Sequence, residues 1–174
     1  MGFSEKILKL TEKAERELAP VFADFDAVAC DNTARVLESY RRHRISETMF
    51  AGSTGYGYGD TGRDTMDAVY ADVFGAQAAF VRHNFVNGTH AISTVLFGLL
   101  RPGDVMLAVT GRPYDTLSEV IGDKTKNGDG SLADFGVIYD EVALLPDGGV
   151  DFAGIEKKLR ERGSRVKVVF IQRS

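Results

Sequence analysis

The residues best suited to chemistry in this sequence are glycine, threonine and tyrosine at the ends of apolar runs. Phe85-Val-Asn-Gly-Thr-His-Ala-Ile92 reads as a strand end and short turn leading into a helix that begins near Thr89. Free N–H groups at a helix start point outward and, together with the helix dipole, suit a phosphate. Gly88 permits close approach and Thr89 adds a hydroxyl, whereas Asn87 or Thr89 acting as an N-cap would use the same kind of donor internally. Both readings stay open on the residues alone. Further on, Thr110-Gly-Arg-Pro-Tyr-Asp-Thr116 places Tyr114 just beyond another strand, where ligands of open α/β sheets collect. Its ring suits stacking on a planar ligand, with partial burial as a packing residue the alternative. Both turns fall at strand ends on one sheet edge, so they suit opposite parts of a single ligand.

Other candidate chemistries fit less well. Gly57-Tyr-Gly-Asp-Thr-Gly62 matches the spacing of a dinucleotide fingerprint, but no convincing buried strand precedes it, and the following strand ends in Arg82-His83-Asn84 rather than in an acid for a ribose. His43, His83 and His90 lack zinc-ligand spacing. No serine sits in a nucleophile elbow, and Cys30 falls mid-helix, where a small buried packing residue is expected.

The elements that must position these residues follow from periodicity. Ser4–Leu18 places Ile7, Leu8, Leu10, Ala14 and Leu18 near one helical face, with Ser4 as N-cap and Pro20 as a stop. A second helical pattern from Val21 to Arg44 ends in Arg41, Arg42, His43 and Arg44, a solvated basic end that suits the helix dipole. Gly52–Gly62 is too glycine-rich for helix or central strand and is expected to be a loop. A helix over Asp64–Phe74 precedes an alternation: extended at Ala78–Arg82, Val105–Thr110, Gly136–Leu144 and Val166–Ile171, helical at Thr89–Leu100, Tyr114–Ile121 and Asp151–Arg162. Continuous apolar strands suggest burial on both faces of a largely parallel sheet. The fold class is therefore α/β, with residues 1–50 as a helical segment ahead of an α/β unit over residues 51–174. Gly122–Asp134 reads as an exposed excursion, and the chain stops in an apparent buried strand, so the unit is expected to be incomplete at its C-terminus.

Composition narrows the function class. The chain has 174 residues, 44% of them hydrophobic, enough for a real core. A net charge of −4 gives no general pull toward nucleic acid, which is not expected as a partner. Cys30 alone rules out an internal disulfide and fits a reducing compartment, so a cytoplasmic location is expected. No segment has the apolar length of a membrane span.

The order of glycine-rich tyrosine loop, helix, strand, Asn-Gly-Thr-His-Ala and then strand with tyrosine resembles the cystathionine and methionine lyases of fold-type-I pyridoxal-phosphate enzymes. More closely it resembles their aluminium-resistance, or methionine gamma-lyase-like, branch. The resemblance spans about Phe25 to Ser174 and is most specific at Gly55-Tyr-Gly-Tyr-Gly-Asp-Thr-Gly-Arg63, Val86-Asn-Gly-Thr-His-Ala91 and Gly111-Arg-Pro-Tyr-Asp115. It implies an aminotransferase-like large domain beginning near residue 51, and pyridoxal 5'-phosphate as cofactor. It also implies a homodimer or homotetramer with shared active sites, and β- or γ-elimination on a sulfur-containing amino acid.

The resemblance carries roles to particular positions. Tyr56 and Tyr58 match a Tyr-x-Arg loop that reaches a neighbouring subunit's cofactor phosphate; Tyr58 replaces the arginine and brings no charge, leaving Arg63 as the cation that would compensate. Gly88 and Thr89 match the phosphate turn, and Tyr114 the ring-stacking tyrosine. The lysine and aspartate that complete such a site come later in the family and have no matching position before Ser174. Nothing in the residues resembles an aluminium site. An aminotransferase of the same fold, or a non-catalytic α/β binding or assembly protein, is the alternative.

Overall fold

The computed structural model describes residues 2–122 and 128–173 and divides the chain into two compact units, Met1–Arg82 and His83–Ser174. In the first, one helix, α1 (Glu5–Arg42), runs for 38 residues, about 57 Å at helical rise. Pro20 lies inside it rather than ending it. A proline costs one hydrogen bond and a clash with the preceding turn; here it is preceded by Glu12-Lys-Ala-Glu-Arg-Glu-Leu-Ala19, all strong helix formers, and helix continues on both sides. Ser4 occupies the N-cap position but makes no side-chain capping bond. The basic end is only partly solvated: Arg42 pairs with Asp72, and His43 Nε2 lies 3.5 Å from the same carboxylate. Cys30, expected to be buried, is exposed, because within this unit the helix over Thr61–Phe74 packs on the last turns of α1, beside Val36 and Tyr40, rather than on its middle.

A short 3₁₀ turn (Glu47–Phe50) leads through the glycine-rich loop to α2 (Thr61–Phe74), which ends on Gly75 in the left-handed conformation. The expected strand at Ala78–Arg82 does not form among the described residues. Its polar groups turn to α2 instead: Val81 N–H and Arg82 Nη1 both donate to Asp67 Oδ1 at 2.7 Å. The Arg82 hydrogen bond, aided by the Val81 amide and opposed by burial, holds the Asp67 carboxyl below its usual range.

The second unit carries α3 (Gly88–Leu99), β1 (Val105–Ala108), α4 (Asp115–Ile121), β2 (Ile138–Glu141), α5 (Phe152–Arg162) and β3 (Val166–Phe170). Its sheet is parallel in the order β2-β1-β3, as the apolar runs suggest. Every residue of the central strand is buried. Successive side chains of a strand point to opposite faces, so Met106 joins Leu96 of α3, Leu100 just past its end, and Leu117 and Ile121 of α4, while Leu107 joins Val109, Val142, Ile155 and Val166. Each fully buried aliphatic side chain contributes about 1.5–3 kcal/mol. Double-sided burial fails at the edge strand β3, where Val169 is half exposed. β2 is tied to α5 by Asp140, which accepts from Lys158 Nζ at 2.7 Å and Arg162 Nε at 2.8 Å.

Of the excursion expected at Gly122–Asp134, residues 123–127 lie outside the described residues. The remainder corrects the expectation in part, since Ser131 and Leu132 are buried, with Leu132 in the core beside Leu117. No helix among the described residues is long and apolar enough to cross a membrane.

Candidate functional site

The site in the second unit is built on the start of α3. Asn87, extended at φ −159° and ψ 178°, caps the helix by accepting from His90 N–H at 2.8 Å. Capping thus engages the third N–H of the helix, and the Gly88 and Thr89 N–H groups meet no acceptor among the described residues. The two uses of this turn foreseen in the sequence are therefore compatible. A Cβ placed on Gly88 would touch nothing within 4 Å, so the approach to these amides is open.

Thr89 Oγ1 lies 3.0 Å from the Tyr114 phenol oxygen and 3.2 Å from Thr116 Oγ1, which brings the two separate turns of the sequence together. Tyr114 stands at the N-cap position of α4, half buried, and packs against the Leu96–Leu117 core cluster. It is a packing residue at its base and a polar contact at its tip. Asn87, Thr89, Ser93 and Thr116, together with the carboxylates Glu119 and Asp129, line an open depression of about 430 Å³. Two free amides beside a hydroxyl suit a dianionic phosphate, and the adjoining aromatic ring suits a planar group attached to it.

Sequence reasoning missed Gln172. It follows β3, and its Oε1 accepts from Tyr114 N–H at 3.2 Å, while its backbone bonds with Thr110 Oγ1. Nothing local signals this, because the partners are far apart in sequence and meet only through the sheet order. At the same strand ends, Tyr139 Oη donates to Glu141 Oε2 at 2.5 Å. Burial, reinforced by that carboxylate, pushes the Tyr139 phenol well above its ordinary range.

In the first unit, Tyr56 and Tyr58 are 82% and 89% exposed. Between and beside them Gly55, Gly57 and Gly59 have φ of 76°, 79° and 67°, a left-handed conformation that other residues adopt only with strain. The loop is closed at its base: Ser53 Oγ donates to Asp60 Oδ2 at 2.9 Å, and Asp60 caps α2 through Arg63 N–H. The Ser53 hydrogen bond, with the Arg63 amide and charge opposing burial, keeps the Asp60 carboxyl below its usual range. Arg63 Nε lies 3.1 Å from Asp60, and its Nη1 donates to the Gly55 carbonyl at 3.4 Å, so the cation expected to replace the missing loop arginine is engaged within its own loop. The formal dinucleotide fingerprint at Gly57–Gly62 follows a 3₁₀ turn and not a strand. His90 Nδ1 accepts from Val86 N–H at 3.3 Å.

Comparison with known proteins covers nearly the whole chain. The family model described as methionine gamma-lyase matches residues 7–174. The uncharacterised protein YnbB of Bacillus subtilis (strain 168) is 45% identical over 170 residues, which make up 98% of this chain and 40% of that protein. Among solved structures, a carbon-sulfur lyase involved in aluminum resistance from Clostridium novyi NT is 48% identical with a TM-score of 0.92, over 98% of this chain and 41% of that one. A Bacillus cereus protein is 47% identical with a TM-score of 0.91, over 98% and 41% of the two chains. The chain spans about two fifths of the length of these relatives. A match of this extent takes in the glycine-rich loop, the Asn-Gly-Thr turn and the Tyr114 loop in order, and the chain belongs to the methionine gamma-lyase family.

Proposed function

We propose that, at the full length of its relatives, the protein is a pyridoxal-phosphate-dependent carbon–sulfur lyase that acts on a sulfur-containing amino acid by β- or γ-elimination, within an aminotransferase-like domain. The observation that carries the proposal is the 3.0 Å contact between Thr89 and Tyr114, which joins a helix start with two unengaged amides to an aromatic ring. When bound, pyridoxal phosphate supplies an electron sink for the charge that develops as the substrate Cα–H bond breaks. Gly88 and Thr89 would hold the phosphate with main-chain N–H groups, aided by the positive end of the α3 dipole. The Thr89 hydroxyl would share a hydrogen bond between the phosphate side and Tyr114. Tyr114 would orient the ring and keep water from that side. Tyr56 and Tyr58 would serve the site of a neighbouring subunit in a homodimer or homotetramer, where their phenols offer hydrogen bonds but no charge.

The name of the Clostridium novyi relative supports the reaction class. The test is the visible absorbance of the protein at full relative length with pyridoxal phosphate added, before and after borohydride, followed by assay of thiol release from sulfur amino acids. A band abolished by reduction, together with thiol release, is expected. Absence of any band would refute the proposal and favour a non-catalytic α/β binding protein, while a band with amino transfer in place of thiol release would leave the cofactor and change the reaction.

A further inference from the structure

The loop that carries Tyr114 is pinned from both neighbouring strands. On the β2 side, Gly111 N–H donates to the Val142 carbonyl at 2.9 Å. On the β3 side, Gln172 N–H donates to Thr110 Oγ1 at 3.0 Å, and that hydroxyl donates to the Gln172 carbonyl at 3.2 Å. With its backbone seated in this way, Gln172 directs its side-chain oxygen at Tyr114 N–H. Only the carbonyl end of the amide can accept from an N–H, so the contact fixes the orientation of the Gln172 side chain.

Tyr114 is consequently held at two points: its backbone by Gln172 and its phenol by Thr89. Without the first, the segment after β1 would rest on Gly111, whose φ of 83° belongs to a conformation that glycine adopts easily and leaves easily. We infer that Gln172, seated by Thr110, is a positioning residue that sets where the Tyr114 ring lies beside the Gly88–Thr89 turn. The inference rests on the functional reading above only for the ligand that the ring meets, a planar phosphorylated cofactor. Positioning of this kind matters because a site held by locked side chains loses less on binding than one that must be ordered.

Two measurements test it. In hydrogen exchange on the 174-residue chain, Gln172→Met removes the acceptor at similar size and is expected to speed exchange over residues 110–117 about tenfold, with β1 unchanged. Gln172→Glu, which keeps an acceptor oxygen, restores slow exchange, and Thr110→Val, which unseats Gln172, reproduces the fast exchange. In pyridoxal phosphate titrations of the protein at full relative length, Gln172→Met is expected to weaken binding about tenfold when Tyr114 is present and to have no effect in a Tyr114→Ala background, the coupling expected of residues that act as one. Unchanged exchange overturns the clasp, and equal losses in the two backgrounds overturn the positioning role. If the unsubstituted protein binds no pyridoxal phosphate, the functional reading falls, and exchange alone upholds or overturns the clasp.

Discussion

Gly88 occupies the first helical position of α3, directly after an extended Asn87. Proline is favoured at that position, because its missing N–H has no partner inside the helix and its fixed φ suits the first turn. An extended residue before it is what proline requires. Gly88→Pro should therefore preserve or raise thermal stability while deleting one of the two amides assigned to the phosphate. A hydrogen bond to a charged group contributes about 1.5–3 kcal/mol, so pyridoxal phosphate binding, measured by titration, should weaken about ten- to hundredfold. Unchanged affinity would remove Gly88 from the cradle. This turn was legible in the sequence because cap, glycine and helix start are contiguous and their chemistry is local. Gln172 was not, since a glutamine after an apolar strand looks like any solvated polar residue until sheet order places it against Thr110 and Tyr114.

At the scale of elements, alternating apolar runs gave the helices and strands of the second unit closely, because each has a buried face that imposes a period. Errors fell where burial and local propensity disagree. Leu132 is one apolar residue in a polar stretch, too little for a periodic signal, yet it enters the core beside Leu117. Ala78–Arg82 has strand composition, but a carboxylate on α2 takes up its Val81 amide. Pro20 has the residue type that ends helices, yet α1 continues through it. Proline in a helix interior is about 3 kcal/mol less favourable than alanine, and its stiffening of the unfolded chain returns about 0.4–1 kcal/mol. Pro20→Ala should therefore stabilise α1 by about 2–2.5 kcal/mol, seen as a stronger far-ultraviolet helical signal and a later thermal transition. A weaker helical signal would show that α1 depends on a bend at this residue.

Across the molecule, each unit contains a carboxylate held in its charged form by cations of a neighbouring segment. Asp67 meets Arg82 in the first unit, and Asp140 meets Lys158 and Arg162 in the second. Burial alone would push Asp140 upward, but hydrogen bonds from Lys158 and Arg162 outweigh it and hold the carboxyl below its ordinary value of 3.8. A carboxyl whose folded pKa lies below its unfolded value contributes stability that is complete above the unfolded value and is lost as pH falls through the folded one. The thermal midpoint should thus hold nearly level from about pH 8 to pH 5 as far as these groups are concerned, and decline below about pH 4. Asp140→Asn separates this pair from the rest. It leaves two cations facing a neutral amide and should cost about 1–3 kcal/mol at neutral pH. Because the parent's own carboxylate is neutralised in acid, the two melting curves should converge as pH drops below 3.8. A difference that persists undiminished in acid would mean that Asp140 acts through packing rather than charge, and that the link between β2 and α5 is not electrostatic.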